Sequence, residues 1–448
     1  SHVGMRSSRI AAMLGLAALG FTPSGTALAA EPVPEAISRD MAGLMAIYRD
    51  LHAHPELSYQ EVRSAGIMAR AAREAGFTVT EKVGKTGIVA VMKNGEGPTV
   101  LIRADMDGLP VTEQTGLAFA SKQRGVSTAG VESGIMHACG HDTHMTAWIE
   151  TARLMAKRKA EWSGTLVMIG QPAEEVGTGA VGMLEDGLYK RFPKPDYVLA
   201  FHDSADLPAG QVGAAVGWAL ANVDSVDVLV KGIGGHGAYP QATKDPIVLA
   251  SAIVMKLQTL VSRETSPLDP AVVTVGSFHA GAKHNIISDQ AKLELTVRSY
   301  SDETRGHLLD GIRRIARGEA IASGLPDGLL PEVSVKEPYT RATWNSPEFT
   351  QEAVADLKTK MGESNVVITP SVMGGEDFGE FRRADEDHIK SVIFWVGGAD
   401  PQKLAAAKAG GSPMPSLHSP FWAPQADKVI APGSEALTLT ALRLMPAK

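Results

Sequence analysis

Between residues 38 and 76 the apolar side chains recur at helical spacing, with Leu44, Ile47, Tyr48 and Leu51 on one face. The pattern breaks at His54-Pro55 and resumes as a second helix over about 59–75. Short β-branched runs follow at 87–92 and 99–102, separated by an Asn94-Gly95 turn, and these predict buried strands. A helix over 141–159 and strands over 165–169 and 198–201 continue the series. Strands alternating with helices predict an α/β domain built on a largely parallel sheet.

The pattern changes near Trp218. Strands over 223–231, 271–280, 290–299 and 332–338 enclose helices over 246–262 and 302–322, the β-α-β-β-α-β order of a ferredoxin-like unit. Signals of the first type then return, with a helix over 346–361, a strand over 391–396 and a helix over 433–445. The smaller unit is therefore expected as an insertion. The division is a first catalytic segment at 31–217, an inserted lid at 218–338 and a second catalytic segment at 339–448.

Composition narrows the class. The chain has 448 residues, 44% of them apolar and 21% charged, enough for more than one core and unlike a disordered or membrane-embedded protein. Ser1–Gly4 precede Met5 as a tag remnant. Arg6 and Arg9, the apolar run 10–21 and the small residues of Ala27-Leu28-Ala29 predict a signal peptide cleaved near Ala29, so residues 1–30 are set aside. The expected location is periplasmic or secreted. Twelve apolar residues are too few to span a bilayer, which argues against a membrane anchor. The formal net charge is −7, and loss of Arg6 and Arg9 makes it more negative, which argues against nucleic acid as a partner. A single cysteine, Cys139, excludes an intramolecular disulfide.

That cysteine lies in Met136-His137-Ala138-Cys139-Gly140-His141-Asp142-Thr143-His144. In an extended segment Cys139 and His141 point the same way, and thiolate and imidazole are preferred zinc ligands. The alternative is a buried small hydrophobe beside a helix-capping histidine. Strand ends elsewhere strengthen the metal reading, because parallel α/β sheets keep their sites past the strands' carboxyl ends. The strand at 99–102 leads to Asp105 and Asp107, that at 165–169 to Glu174-Glu175, and that at 198–201 to His202. Of two adjacent glutamates one can bind metal while its neighbour carries a proton; a solvated surface pair is the plainer reading. His137 and His144 are expected to orient the ligands, His52 and His54 to bond locally, and His279, His284, His307 and His388 to be structural or superficial.

RADMDGLP (103–110), MHACGHDTH (136–144), QPAEEVGTGA (171–180), the His202 segment, GGHGAYP (234–240), GGEDF (374–378) and LHSPFW (417–422) occur in the order seen in the M20 metallopeptidase family. DLHAHPELSYQE (50–61) is similar to it as well. The chain resembles the amidohydrolase branch, which includes hippurate hydrolases, auxin-conjugate hydrolases, aminoacylases and some carboxypeptidases, over roughly Arg49 to Asp427. The resemblance implies a zinc-exopeptidase-like catalytic domain with an inserted lid and dimerisation domain, working as a homodimer. It implies two divalent ions held by Cys139, His141, Glu175, His202 and His418, with Glu174 as general base and Asp107 as a supporting carboxylate. Zinc suits such donors, while relatives also use manganese, nickel or cobalt. His236 is similar to the family histidine that polarises the scissile carbonyl, often from a neighbouring subunit. Asn285 and Arg298 match lid positions that contact the substrate's carboxylate or oxyanion. The implied substrate is an N-acyl amino acid, with a short peptide as the alternative.

Two departures stand out. Asp203 follows His202 where an apolar residue is usual, an extra charge expected to alter metal preference or substrate fit. Asn285 lacks the proline that commonly follows it. Arg298 also has an internal reading, as an ion pair with Glu294. Gly232-Ile233-Gly234-Gly235-His236-Gly237 matches the spacing of a dinucleotide-binding loop, but Tyr239-Pro240 delays the helix that should cradle the pyrophosphate. A metal-sequestering protein would need the ligands but not Glu174.

Overall fold

The computed structural model describes residues 31–448; the tag remnant and signal peptide read at 1–30 lie outside it. Helix α1 (Val33–Ala53) ends at the His54-Pro55 break, burying Leu44, Tyr48 and Leu51. Helix α2 (Val62–Glu74) starts three residues later than its periodicity predicts. Glu56 accepts hydrogen bonds from the Arg63 and Ser64 N–H groups at 2.9 and 2.7 Å, and so caps the helix from six residues before its start.

Strands β1 (Thr78–Val83), β2 (Gly87–Asn94) and β3 (Thr99–Asp105) lead to helix α3 (His141–Lys157), followed by β4 (Gly164–Gln171), β5 (Tyr197–Pro208) and β6 (Val212–Ala214). The insertion comprises β7 (Asn222–Lys231), α4 (Pro246–Ser262), β8 (Val272–Ala280), β9 (Gln290–Ser299), α5 (Asp302–Ala322) and β10 (Glu332–Val335). Helix α6 (Pro347–Met361), β11 (Val366–Ile368), β12 (Lys390–Ala399) and α7 (Ala426–Leu444) return to the first sheet. Helix α7 begins seven residues before the expected start and runs through Pro432, because Ala426, Val429 and Ile430 bury its first turn in the core.

The large sheet has the order β1-β2-β4-β3-β5-β12-β6-β11. Its centre is parallel, β4 with β3, β3 with β5 and β5 with β12. Alternate residues feed two cores: Val100 and Ile102 face α1, α3 and α7, while Leu101 faces the opposite layer with Val167, Val198 and Ile393. Strands buried on both faces explain the continuous apolar runs in the sequence. The insertion forms its own antiparallel sheet, β8-β9-β7-β10, with α4 and α5 on one face over Val226, Val228, Leu293 and Leu295. This is the ferredoxin-like order, and the sheet's other face is open. Among the described residues no helix is long and apolar enough to cross a membrane.

His52 departs from the local bonding expected of it. It is buried, with Nδ1 2.7 Å from Asp142 and Nε2 2.9 Å from Glu113. Burial alone would lower its pKa; hydrogen bonds to Asp142 and Glu113 outweigh that and raise it to about 10. The folded state thus holds this proton more tightly than the unfolded chain. The stabilisation is complete below the ordinary histidine value near 6.5 and is lost as pH rises through 10. Urea unfolding at pH 6 and pH 10.5 should show a loss on the order of 3 kcal/mol that is absent in His52→Gln; equal losses in both proteins would refute it.

Candidate metal centre

The site is built where β3, β4 and the N-terminus of α3 meet, beside the middle of β5 and a returning loop at residues 416–422. Strand β5 runs on to Pro208, so His202 lies within a strand and not beyond its end as the sequence suggests. Four of the five expected ligands are mostly shielded, and the His418 side chain is 56% exposed. His418 has φ +74°, and its N–H bonds to the Ala138 carbonyl at 2.8 Å, which ties it to the Cys139 segment. A non-glycine residue held at positive φ is strain stored at a functional position.

The donor atoms converge. Cys139 Sγ is 3.5 Å from His202 Nε2, His141 Nε2 is 3.3 Å from Glu175 Oε1, and His418 Nε2 is 3.4 Å from Glu175 Oε2. Ligands ~2.0–2.3 Å from a tetrahedral zinc ion stand ~3.3–3.8 Å from one another, so these separations match shared coordination. Glu175 directs its two oxygens towards different histidines, an arrangement suited to two cations. Both His141 ring nitrogens, Glu175 Oε1 and Asp105 Oδ2 are buried without hydrogen-bond partners, a costly condition that a bound cation removes. His202 Nδ1 donates to the Asp203 carbonyl at 2.7 Å, which orients the ring with Nε2 facing Cys139. These residues fit divalent cations.

Burial disfavours a charged His141, but Asp105, Asp107 and Glu175 reverse this and hold its pKa well above the usual value. His202 is raised to about 9: burial opposes this, and Asp203 dominates the opposite push. Burial, Glu376 and Glu175 push Glu174 well up. Glu174 lines a cavity of about 1250 Å³ together with Cys139, Glu175, His202, Arg298 and His418.

Asp107 grips the turn carrying the glutamates. Its carboxylate accepts from the N–H groups of Glu174 (3.2 Å) and Glu175 (3.0 Å) and from Ser58 Oγ (2.6 Å). The turn needs Gly179, where any Cβ would lie 1.6 Å from the Pro172 carbonyl oxygen. His144 donates from Nδ1 to Asp105 at 2.6 Å and accepts the Asp203 N–H at Nε2 at 3.0 Å. Both its nitrogens are engaged in these bonds. Asp203 puts its charge beside the centre, 3.2 Å from His202 Nδ1. It accepts from Trp422 Nε1 at 3.0 Å and does not line the cavity, so its charge braces the site from behind.

Gly140, at φ +76°, lies against that brace: a Cβ there would sit 2.2 Å from Asp203 Oδ2. Gly140→Ala should destabilise the fold by at least about 2 kcal/mol and lower metal content, measured by thermal melting and elemental analysis. Unchanged values for both would show that the brace is dispensable.

The sequence reading left other buried charges without a role. Arg103 donates from Nε to Gln171 Oε1 at 2.7 Å and pairs with Glu376, and Asp377 receives Gln171 Nε2 at 2.9 Å. Burial leads the rise of Asp377 to about 8, which Arg103 opposes. Charged residues at the end of the buried run 99–105 were the available signal; the acidic partners Glu376 and Asp377 lie more than 270 positions from Arg103.

In the lid, Arg298 is half-buried and reaches the cavity, bonding Thr296 Oγ1 (2.9 Å) and the Met373 carbonyl (2.8 Å). The ion pair with Glu294 does not form; Glu294 pairs with Lys292. His236 and Asn285 neighbour each other on a short ribbon, where the Gly237 N–H donates to the Asn285 carbonyl at 2.8 Å, and neither lines the cavity.

A cation-binding rim at the end of a mostly parallel sheet, facing an inserted antiparallel lid, defines a metal-dependent hydrolase of amide or peptide bonds. The chain belongs to peptidase family M20/M25/M40, whose family model matches residues 101–409. It is 38% identical over 356 residues to the N-acetylcysteine deacetylase of Bacillus subtilis strain 168, covering 79% of this chain and 88% of that protein. It is 37% identical over 342 residues to thermostable carboxypeptidase 1 of Saccharolobus solfataricus, covering 75% and 82%. A Bacillus subtilis crystal structure described as a dinuclear metal-binding peptidase of the M20 family superposes with a TM-score of 0.73 at 31% identity, covering 92% of this chain and all of that one.

Proposed function

We propose that the protein hydrolyses N-acyl amino acids, with Glu174 as general base and Cys139, His141, Glu175, His202 and His418 holding two divalent cations. Zinc best suits thiolate and imidazole donors, ahead of manganese, nickel or cobalt. The observation that carries this reading is the division of labour in the glutamate pair: Glu175 faces two histidines, while the Glu174 carboxylate accepts no hydrogen bond among the described residues and lines the cavity. A metal store has no use for that second carboxylate. Nor does a dinucleotide site fit, because the glycine run at 232–237 opens no helix.

Bound cations supply Lewis acidity, which acidifies a water and polarises the amide carbonyl. Glu174 takes the water's proton and delivers it to the leaving amine. Asp107 keeps the Glu174 and Glu175 backbone fixed during the transfer. Arg298, whose pKa burial lowers with no carboxylate to offset it, is suited to the substrate's carboxylate.

His236 and Asn285 complete the site in this reading from the lid of a second subunit. Support for a homodimer comes from α4, which exposes Val248 (66%) and Met255 (71%), and from β8, a free edge of the lid sheet. We also place the protein outside the cytoplasm, on the strength of the pattern at 5–29; an uncleaved N-terminus on protein recovered from cells would count against export.

Free-amine release from a panel of N-acetyl amino acids and dipeptides, with and without chelator, tests the function. Chelator-sensitive release from the acetylated panel is expected. The name of the carboxypeptidase relative makes short-peptide hydrolysis the second reading, and cleavage of dipeptides alone would select it. No release from either set would sink both.

A further inference from the structure

Asp107 holds two of the three successive amides that lead into the glutamate pair, and a second carboxylate holds the third. Glu61 is fully buried (0% exposed), at the end of the loop that joins α1 to α2. Its Oε2 accepts the Ala173 N–H at 2.7 Å, and its Oε1 accepts Thr86 Oγ1 at 2.8 Å. Ala173 has φ +51°, a left-handed conformation that costs a non-glycine residue on the order of 1–3 kcal/mol and persists only where the surroundings impose it.

The consequence is geometric. The φ and ψ of Ala173 set the direction in which the next residue leaves, and that residue is Glu174. If Ala173 relaxed to negative φ, the Glu174 side chain would swing away from the cavity rim, whereas Glu175, whose N–H Asp107 holds at 3.0 Å, would keep its place beside His141. The neighbouring loop residues act on the same turn: Ser58 holds Asp107, and Tyr59, itself at φ +64°, bonds Thr178 at its far end. Loop and turn are more than 110 positions apart in sequence, and nothing in the glutamate motif itself supplies an acceptor for the Ala173 N–H.

We propose that Glu61 is a positioning residue of the hydrolytic reaction: its buried carboxylate locks Ala173 in the left-handed conformation and thereby aims Glu174 at the substrate. The inference rests on the hydrolase reading above. Glu61 touches neither substrate nor cation. Its role requires a hydrogen-bond acceptor of the right length and no charge, so glutamine should serve. Burial, followed by the nearby Asp107, raises its carboxyl to about 7, in keeping with a site that tolerates a neutral group.

The test compares Glu61→Ala and Glu61→Gln in the full chain loaded with zinc, using the best N-acetyl amino acid from the panel. Glu61→Ala should lower kcat about 30- to 100-fold, with KM within about twofold and cation content unchanged, the pattern of a mis-aimed base. Glu61→Gln should recover most of that loss. A general structural role would instead lower cation content and active fraction together and would not separate kcat from KM. An unchanged kcat in Glu61→Ala, or an equal fall in Glu61→Gln, overturns the proposal. If Glu61→Ala does not fold, Thr86→Val loosens the same carboxylate and should cost kcat about 3- to 10-fold; no change there is equally fatal. A wild-type protein that cleaves no amide defeats the hydrolase reading itself and this inference with it, whereas an active wild type with an unaffected Glu61→Ala defeats this inference alone.

Discussion

Glu174→Ala should lower kcat by about 10² to 10⁴-fold while both cations stay bound. The five proposed donors, Cys139, His141, Glu175, His202 and His418, do not include the Glu174 carboxylate, which stands 3.8 Å from His141 Nε2. Removing it takes away the proton acceptor and leaves the donor set intact. KM should change little, because in the proposed reading the substrate is held by Arg298 and the cavity wall. Glu174→Gln should be as damaging as alanine, since an amide cannot accept and return a proton, and this equality separates base catalysis from packing. Steady-state kinetics and elemental analysis on the same samples decide it. A variant that retains activity within tenfold would remove Glu174 from the chemistry, and one that loses its metal would make it a ligand.

Much of this was readable along the chain because it is local. The helices at 246–262 and 302–322 and the strand at 290–299 occur at the predicted positions, since each combines an unbroken apolar period with clear stops; Asp245 and Ser301, for instance, cap their helices with side-chain oxygens. Motif order singled out Cys139, His141, Glu174, Glu175, His202 and His418, and the structure brings these residues close together. The bracing groups were not. Arg103 with Glu376, Asp203 with Trp422, His52 with Glu113 and Glu61 with Ala173 pair residues 61 to 273 positions apart, and no periodicity encodes which buried charge meets which. The late start of α2 has the same origin, because a carboxylate outside the helix caps it. The separation of His236 and Asn285 from the cavity reflects lid geometry, which local sequence does not carry.

Stripping the cations with a chelator should abolish amide hydrolysis and leave a folded but weaker protein, with activity restored by adding zinc. Seven carboxylates lie in or against the centre: Asp105, Asp107, Glu174, Glu175, Asp203, Glu376 and Asp377. Without a cation that charge favours protons on His141 and His202, which the surrounding carboxylates push up, and on Glu174 and Asp377, which burial pushes up. Burial likewise raises the Cys139 thiol, so it too must give up a proton to become a ligand. Binding therefore exchanges protons for cations, and apparent affinity should climb as pH rises from 6 towards the His202 value of about 9. At a free concentration 100-fold above Kd the bound cation adds about 2.7 kcal/mol to stability, a rise in melting temperature of about 3 °C for a body of this size. Calorimetric titration of the stripped protein with zinc at pH 7, in two buffers of different ionisation enthalpy, measures the protons released. Release of at least one proton per subunit is expected. Tight binding with no release would mean that neither the thiol nor the imidazoles hold the ions, and the ligand set would have to be sought among the carboxylates alone.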